Sequence, residues 1–399
     1  MQYHATTTLH ELFGDLVILR NLTPFDTRLP GLADAWREMG LDSARTPRKH
    51  EPEYARASVW FVRQARALDL PDTPVRELLF IGDTAMADGN AFRSLARAGG
   101  WPGWCFIGSE KLSQPAEFVQ QADNVTLSNR WAGLGEWLAS AKAAGARMDA
   151  GTAVVIDMDK TAVAARGRNA PVMDAARIEG VERTVASSLG DAYNRDLFLT
   201  AYNTLNDPVF HPFTADNQDY LAYICLVLGA GLVELDALVA DVQAGRMSSF
   251  RQFIDWSDGQ SGSAGDRNPV FSEKPGFSEP PAGLQAIHRD VYTLVLAGDP
   301  TPFKAFRRNE YLCTAARFGS LPADAPVVQM LAEQVCITQE VREAALWLKV
   351  RGCLLLTMSD KPDEATIPTP ELAAQGYLPI HRLPTAAVGE SIAAELASL

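Results

Sequence analysis

The apolar run Ala153, Val154, Val155 and Ile156 ends in Asp157, Met158, Asp159, Lys160 and Thr161, and no other stretch constrains the fold as strongly. An uninterrupted Val/Ile run reads as a strand buried on both faces, which is what a parallel sheet covered by helices requires. Open α/β sheets place their chemistry at the carboxyl ends of such strands. Side chains alternate along an extended chain, so Asp157 and Asp159 point the same way while Met158 turns aside. Carboxylates held that close repel unless a cation or a shared proton lies between them. Taken alone, the five residues fit equally well a strand that runs into an acidic turn.

Three further fragments extend the pattern. Glu77, Leu78, Leu79, Phe80 and Ile81 form a second strand candidate, followed by Gly82, Asp83 and, five positions on, Asp88, then by a helical stretch over 91–98. A glycine at the strand end frees the backbone to turn and brings a second pair of carboxylates to the same edge. Cys353, Leu354, Leu355 and Leu356 lead into Thr357, Met358, Ser359, Asp360, Lys361 and Pro362, a strand ending in hydroxyls that can hold an anion. Arg48 and Lys49 open a helical pattern that begins near Pro52 and would set a cation beside that anion.

With these four fragments the chain resembles the haloacid dehalogenase superfamily of phosphohydrolases, built on a doubly wound, mainly parallel sheet. The resemblance matches the family's first motif at Asp157, Asp159 and Thr161. The second is matched at Ser359, with Thr357 as the alternative register, and the third at Lys49, with Arg48 as competitor. The fourth is matched at Asp83 and Asp88. Lys160 stands where the family usually has a small or uncharged residue, so its side chain must leave the site or serve it.

The motifs run third, fourth, first, second along the chain. Either one core is circularly permuted or two tandem cores have each lost half their motifs. Residues 122–127 and 134–141 look like the closing strand and helix of such a core, and a small-residue connector then leads into the first motif. Each motif occurs once, so a single permuted core needs fewer losses. The expected organisation is a core in three pieces, 1–141, 152–170 and 346–399, with a linker at 142–151 and a mostly helical cap over 171–345. Strands are expected near 77–81, 102–107, 123–127, 153–157 and 353–358, with weaker candidates at 16–20 and 377–381. Within the cap, 190–205, 216–244, 284–297 and 326–349 carry apolar residues at helical spacing, and 256–283 is rich in Gly, Ser and Pro and reads as a long loop.

The composition agrees with this reading and narrows the partners. At 399 residues with 47% hydrophobic and 21% charged residues, the chain can fill two ordinary globular cores. A formal charge of −13 disfavours nucleic acid or an anionic membrane as main partner, and obliges any anionic substrate to be drawn in by local cations. The longest apolar stretch, 220–233, is shorter than a membrane span. Five cysteines without paired spacing suggest reduced thiols and a cytoplasmic setting. His211 and His288 have no neighbour at metal-ligand spacing and read as structural; Arg166 and Arg168 could reach substrate or form a solvated flap; Arg307 and Arg308 are candidates for anion or sugar recognition in the cap, although a charge pair on a helix usually faces water.

The resemblance implies a phosphatase acting on a small phosphorylated metabolite. Asp157 would attack phosphorus to form an aspartyl-phosphate, and Asp159 would serve as acid and then base. Magnesium would be held by Asp157, the backbone carbonyl of Asp159, Asp83 and Asp88. Ser359 would bond a phosphoryl oxygen and Lys49 would offset charge. Asp159 speaks against a dehalogenase, whose branch lacks the second aspartate. The phrase Asp159, Lys160, Thr161 is also similar to the phosphorylated loop of ion-pumping ATPases, against which Ala162, Val163 and the lack of a membrane span argue. A phosphotransferase or phosphomutase keeps the same chemistry with another acceptor, and a non-catalytic binding module on the same core is the remaining alternative.

Overall fold

Ten strands build two sheets in the computed structural model, which describes residues 1–49, 51–258 and 282–399. In chain order they are β1 (Gln2–Thr7), β2 (Val17–Ile18), β3 (Glu77–Gly82), β4 (Gly103–Gly108), β5 (Phe118–Gln120), β6 (Val125–Ser128), β7 (Thr152–Ile156), β8 (Ile337–Thr338), β9 (Leu354–Met358) and β10 (Thr385–Gly389). The larger sheet has seven strands in the order β2-β9-β7-β3-β4-β6-β5. Every neighbouring pair in it is parallel except β5 with β6, at one edge. The chain is therefore mixed α/β with a mostly parallel main sheet.

The reason for the apolar runs is visible in the packing. Each residue of β3, β4, β7 and β9 is buried, because helices cover both faces. Alternate residues Leu78 and Phe80, Ala153 and Val155, Leu354 and Leu356 join one core with the helices Pro52–Asp69 and Asn90–Gly99. On the other face Phe106 meets Trp131 and Trp137, beside the helices Gly133–Ala143 and Gln339–Val350. The helix Pro52–Asp69 starts with proline in its first turn, where the missing N–H costs nothing.

The smaller sheet, β1-β10-β8, corrects the expected boundaries. By compactness the chain divides into Met1–Ala176 with Thr314–Leu399, and Arg177–Cys313, so the second unit is shorter than 171–345. Residues 314–345 belong with the sheets because β8 pairs with β10 and is sewn to the segment after Asp159. Thr338 N donates to Ala162 O at 2.9 Å, Ala164 N donates to Cys336 O at 2.9 Å, and Val163 bridges Ile337. Two residues of strand are too few to register as a pattern within 326–349, which reads as helix until the backbone pairing is known.

Other expectations shift locally. The segment 377–381 is not a strand: Ile380–Arg382 is a single 3₁₀ turn, and the strand comes after Pro384, as β10. Prolines at 379 and 384 remove backbone donors on both sides. β6 starts only at Val125, because Asp123 and Asn124 take positive φ. The connector 142–151 is no loose linker, since the buried Glu77 carboxylate accepts Arg147 N at 3.0 Å, Met148 N at 2.9 Å and Thr152 Oγ1 at 2.6 Å. Of the expected loop 256–283, residues 259–281 lie outside the described residues, and Trp256 and Ser257 close the helix Phe250–Ser257. His50 is likewise outside them.

The unit Arg177–Cys313 is helical, with its own aromatic-rich core around Phe198, Tyr223, Phe253 and Phe306. The apolar stretch at 220–233 is the buried helix Gln218–Gly229 and the turn after it, and the expected helix 216–244 breaks there, with Gly231 at φ 67. No helix among the described residues is long and apolar enough to cross a membrane. All five cysteines are buried, and none is in a disulfide.

Candidate functional site

β9, β7 and β3 are consecutive in the sheet, so strands whose ends, Gly82 and Met358, are 276 positions apart in the chain finish at one edge. Asp157 follows the last residue of β7, and its N–H donates to Ile81 O of β3 at 2.9 Å. Asp83 follows the last residue of β3. Asp88 folds back over that strand end: its Oδ2 accepts from Asp83 N at 3.0 Å, Thr84 N at 3.0 Å and Thr84 Oγ1 at 3.1 Å. The fold-back explains Gly82, since a Cβ there would come within 2.5 Å of the Asp88 Cβ.

Carboxylate oxygens of Asp83, Asp88 and Asp157 lie within 4.8 Å of one another, and all three residues are buried. Lys49 sits between two of them, its Nζ 2.7 Å from Asp88 Oδ1 and 3.1 Å from Asp157 Oδ1. Of the two basic residues before the helix Pro52–Asp69, Lys49 is thus the one at the cluster. Burial pushes the Asp157 carboxyl well above the usual carboxylate range, against the pull of Lys49. Asp83 is pushed up to about 7, first by burial and then by the neighbouring Asp88 charge, with Arg166 opposing. Asp88 goes the other way, to about 2, because Lys49 and the Thr84 backbone outweigh its burial. Lys49 is held well above its ordinary value, as the charges of Asp157 and Asp88 overcome its burial.

The remaining predicted residues take distinct places. The Asp159 carboxylate is not part of the three-acid group; its Oδ2 lies 3.6 Å from Nζ of Lys361. Ser359 is buried just past β9, and its Oγ accepts Lys361 N at 3.3 Å, while Thr357 lies inside the strand. Lys160 leaves the cluster: at φ 62 its chain turns in the left-handed region, and Nζ pairs with Asp174 at 2.7 Å. Ala162 N to Asp157 O at 3.2 Å and Val163 N to Met158 O at 3.0 Å close that turn.

Two residues at the site escaped the reading of the sequence in their actual roles. Lys361 stands two positions after Ser359 and is buried against Asp159, where its spacing from the strand end was the available signal. Arg166 reaches Asp83 through its Nε and is no detached flap. Arg168, its companion, is structural: it is buried and bonds Glu340 at 2.8 Å and Glu110. Arg307 is no surface residue either, being buried against Asp219 and Glu310, while Arg308 is exposed. His288 is packed between Tyr223 and Asp258, at 2.5 Å and 3.0 Å.

No protein-family model matches the chain, and no curated protein and no solved structure matches it. The site has therefore to be interpreted from its own chemistry. Donors that are all carboxylate oxygen suit a hard divalent cation, and the group is one that could hold a metal ion.

Proposed function

We propose that this protein is a magnesium-dependent phosphohydrolase that acts on a small phosphorylated metabolite through an aspartyl-phosphate, on a circularly permuted haloacid dehalogenase-like core. The observation that carries the proposal is the buried trio Asp83, Asp88 and Asp157 at adjoining strand ends, with Lys49 between two of its members. Three acids buried together raise the energy of the fold unless cations offset them, and hydrophobic replacement would be the cheaper structural solution. Their retention beside a lysine is what a site for a cation and an anion requires. The adjacency of β9, β7 and β3 supports the permuted reading, because it brings three of the four motif segments to one edge in spite of their order, and Lys49 of the remaining one reaches the same acids.

Asp83, Asp88 and Asp157 would hold the magnesium ion, Asp88 directly or through water. The bound ion would supply positive charge against which a phosphate dianion can approach a carboxylate. An Asp157 oxygen bonds to phosphorus as the bond from phosphorus to the leaving oxygen breaks, and Asp159 gives that oxygen its proton. Water then attacks phosphorus and passes a proton to Asp159, the bond to Asp157 breaks, and inorganic phosphate leaves. Lys49 offsets charge on Asp157 and the phosphoryl group, and Ser359 donates to a phosphoryl oxygen.

The test is phosphate release from a panel of phosphate esters with and without magnesium, with Asp157→Asn alongside. The expected result is magnesium-dependent release that falls on the order of a thousandfold or more in the variant. A wild type that is inert across the panel and binds no magnesium would point to a binding module, and an Asn variant with full activity would reject Asp157 as nucleophile.

A further inference from the structure

We propose that Arg166 is the residue that grips the non-bridging oxygens of the substrate phosphate, and that in the metal-free protein it stands in for the cation at Asp83. The inference rests on the reading of the site as one for a metal and a phosphate. Its own basis is the way this arginine is mounted. The Arg166 N–H donates to Lys160 O at 2.8 Å, and its carbonyl accepts from Glu110 N at 2.9 Å and from Trp131 Nε1 at 3.2 Å. The next residue, Gly167, has φ 79 and no room for a Cβ against the Glu110 carbonyl. After it, Arg168 is clamped by Glu110 and Glu340. A main chain held at so many points carries a side chain that is 40% exposed and reaches Asp83 through Nε.

Among the described residues the two terminal guanidinium nitrogens of Arg166 have no partner. They form the planar fork that binds a carboxylate or phosphate through two parallel hydrogen bonds. Charge points the same way. With all three carboxylates ionised, as a bound cation requires, Lys49 and Arg166 leave one negative charge in the cluster. A divalent cation turns that to one positive charge, and Asp83 then has a better partner than Arg166. The guanidinium is released where its fork is useful, beside an arriving dianion.

The two roles give Arg166→Gln effects of opposite sign. Loss of its charge removes a competitor for Asp83, so magnesium binding, titrated calorimetrically with the metal alone, tightens by about tenfold. Inorganic phosphate, titrated into the magnesium-loaded protein, binds about tenfold more weakly, because a charged hydrogen-bond donor is lost. Arg166→Lys restores the metal affinity to that of the wild type and phosphate affinity only in part, since a point charge replaces a fork. A residue that merely shapes the loop would weaken both ligands together in Arg166→Gln, and that result overturns the inference, as does unchanged phosphate binding. A wild type that binds neither magnesium nor phosphate overturns both this inference and the function it rests on. A wild type that binds both, with Arg166→Gln unaltered, overturns this inference alone.

Discussion

In the helical unit the Arg307 guanidinium is buried between Asp219 and Glu310, each 2.6 Å away, and Arg177 reaches the same glutamate at 3.1 Å. At the edge of the main sheet three buried carboxylates share Lys49 and Arg166. In the first group Arg307 bonds both acids directly, while in the second three acids share two cations and burial holds Asp83 and Asp157 above the usual carboxylate range. Burial and ion pairing are alike in the two places; the balance of charge separates them. Ion pairs satisfied within the fold serve the fold; under the proposed function, the crowded acids of the second group are where a cation would bind.

The harshest test of that contrast is Asp219→Ala. It takes from the buried Arg307 one of its two acids, leaving it Glu310, which Arg177 shares, and should cost about 3–5 kcal/mol in denaturant unfolding. A loss below about 1 kcal/mol would mean that the helical network is not structural and would erase the distinction. Next comes Gly82→Ala, whose Cβ must displace Asp88 and break the loop that presents Asp83. Overpacking of this kind costs about 1–3 kcal/mol, and magnesium affinity should fall with stability. Retained affinity would show that Asp88 is not needed in its folded-back position.

pH sharpens the comparison because the two regions respond with opposite signs. The Asp83 pKa is raised to about 7, so its contribution to stability is present below the ordinary carboxylate range and is lost as pH rises toward and through 7. His288 is lowered by burial, so the helical unit loses stability as pH falls through 6.5, where the unfolded chain takes up a proton that the folded state refuses. Hydrogen exchange between pH 5 and 8 should therefore show the site loops loosening as pH rises and the helices around Tyr223 and His288 loosening as it falls. Magnesium should raise the melting temperature more at pH 8 than at pH 5, and Asp83→Asn should flatten that difference. Parallel slopes in the two regions would contradict the assignment. The smallest effect is expected for Lys160→Ala, whose pair with Asp174 is partly exposed, with side chains 20% and 43% accessible. Less than about 1 kcal/mol should be lost, with metal affinity unchanged.

Several parts of the molecule were legible in its sequence because they depend on local pattern. The strands at β3, β4, β7 and β9 are continuous apolar runs, since both faces of a parallel sheet are covered. Gly82 marked the strand end before two acids, although the structure uses it for room beneath Asp88 rather than for a turn, and Asp157 with Asp159 announced a strand end that carries charge. The two-residue strand β8 carried no such mark, and neither did the placement of 314–345 with the sheets, because backbone pairing between distant segments leaves no periodic trace. Arg166, Arg168 and Arg307 make the same point for charge. In sequence all three are arginines among helix-forming or small residues, yet one faces Asp83 and the other two are buried in ion networks.

What the chain's order of residues determined alone is the existence of acid-tipped buried strands, because hydrophobic runs and turn-permitting glycines act over a few residues. Tertiary structure decided which of those acids meet, which cation lies between them and which is left with a free fork. Such outcomes depend on strand order and on distances of a few ångströms between residues far apart in the chain, where Coulomb energy changes steeply and sequence spacing carries no information.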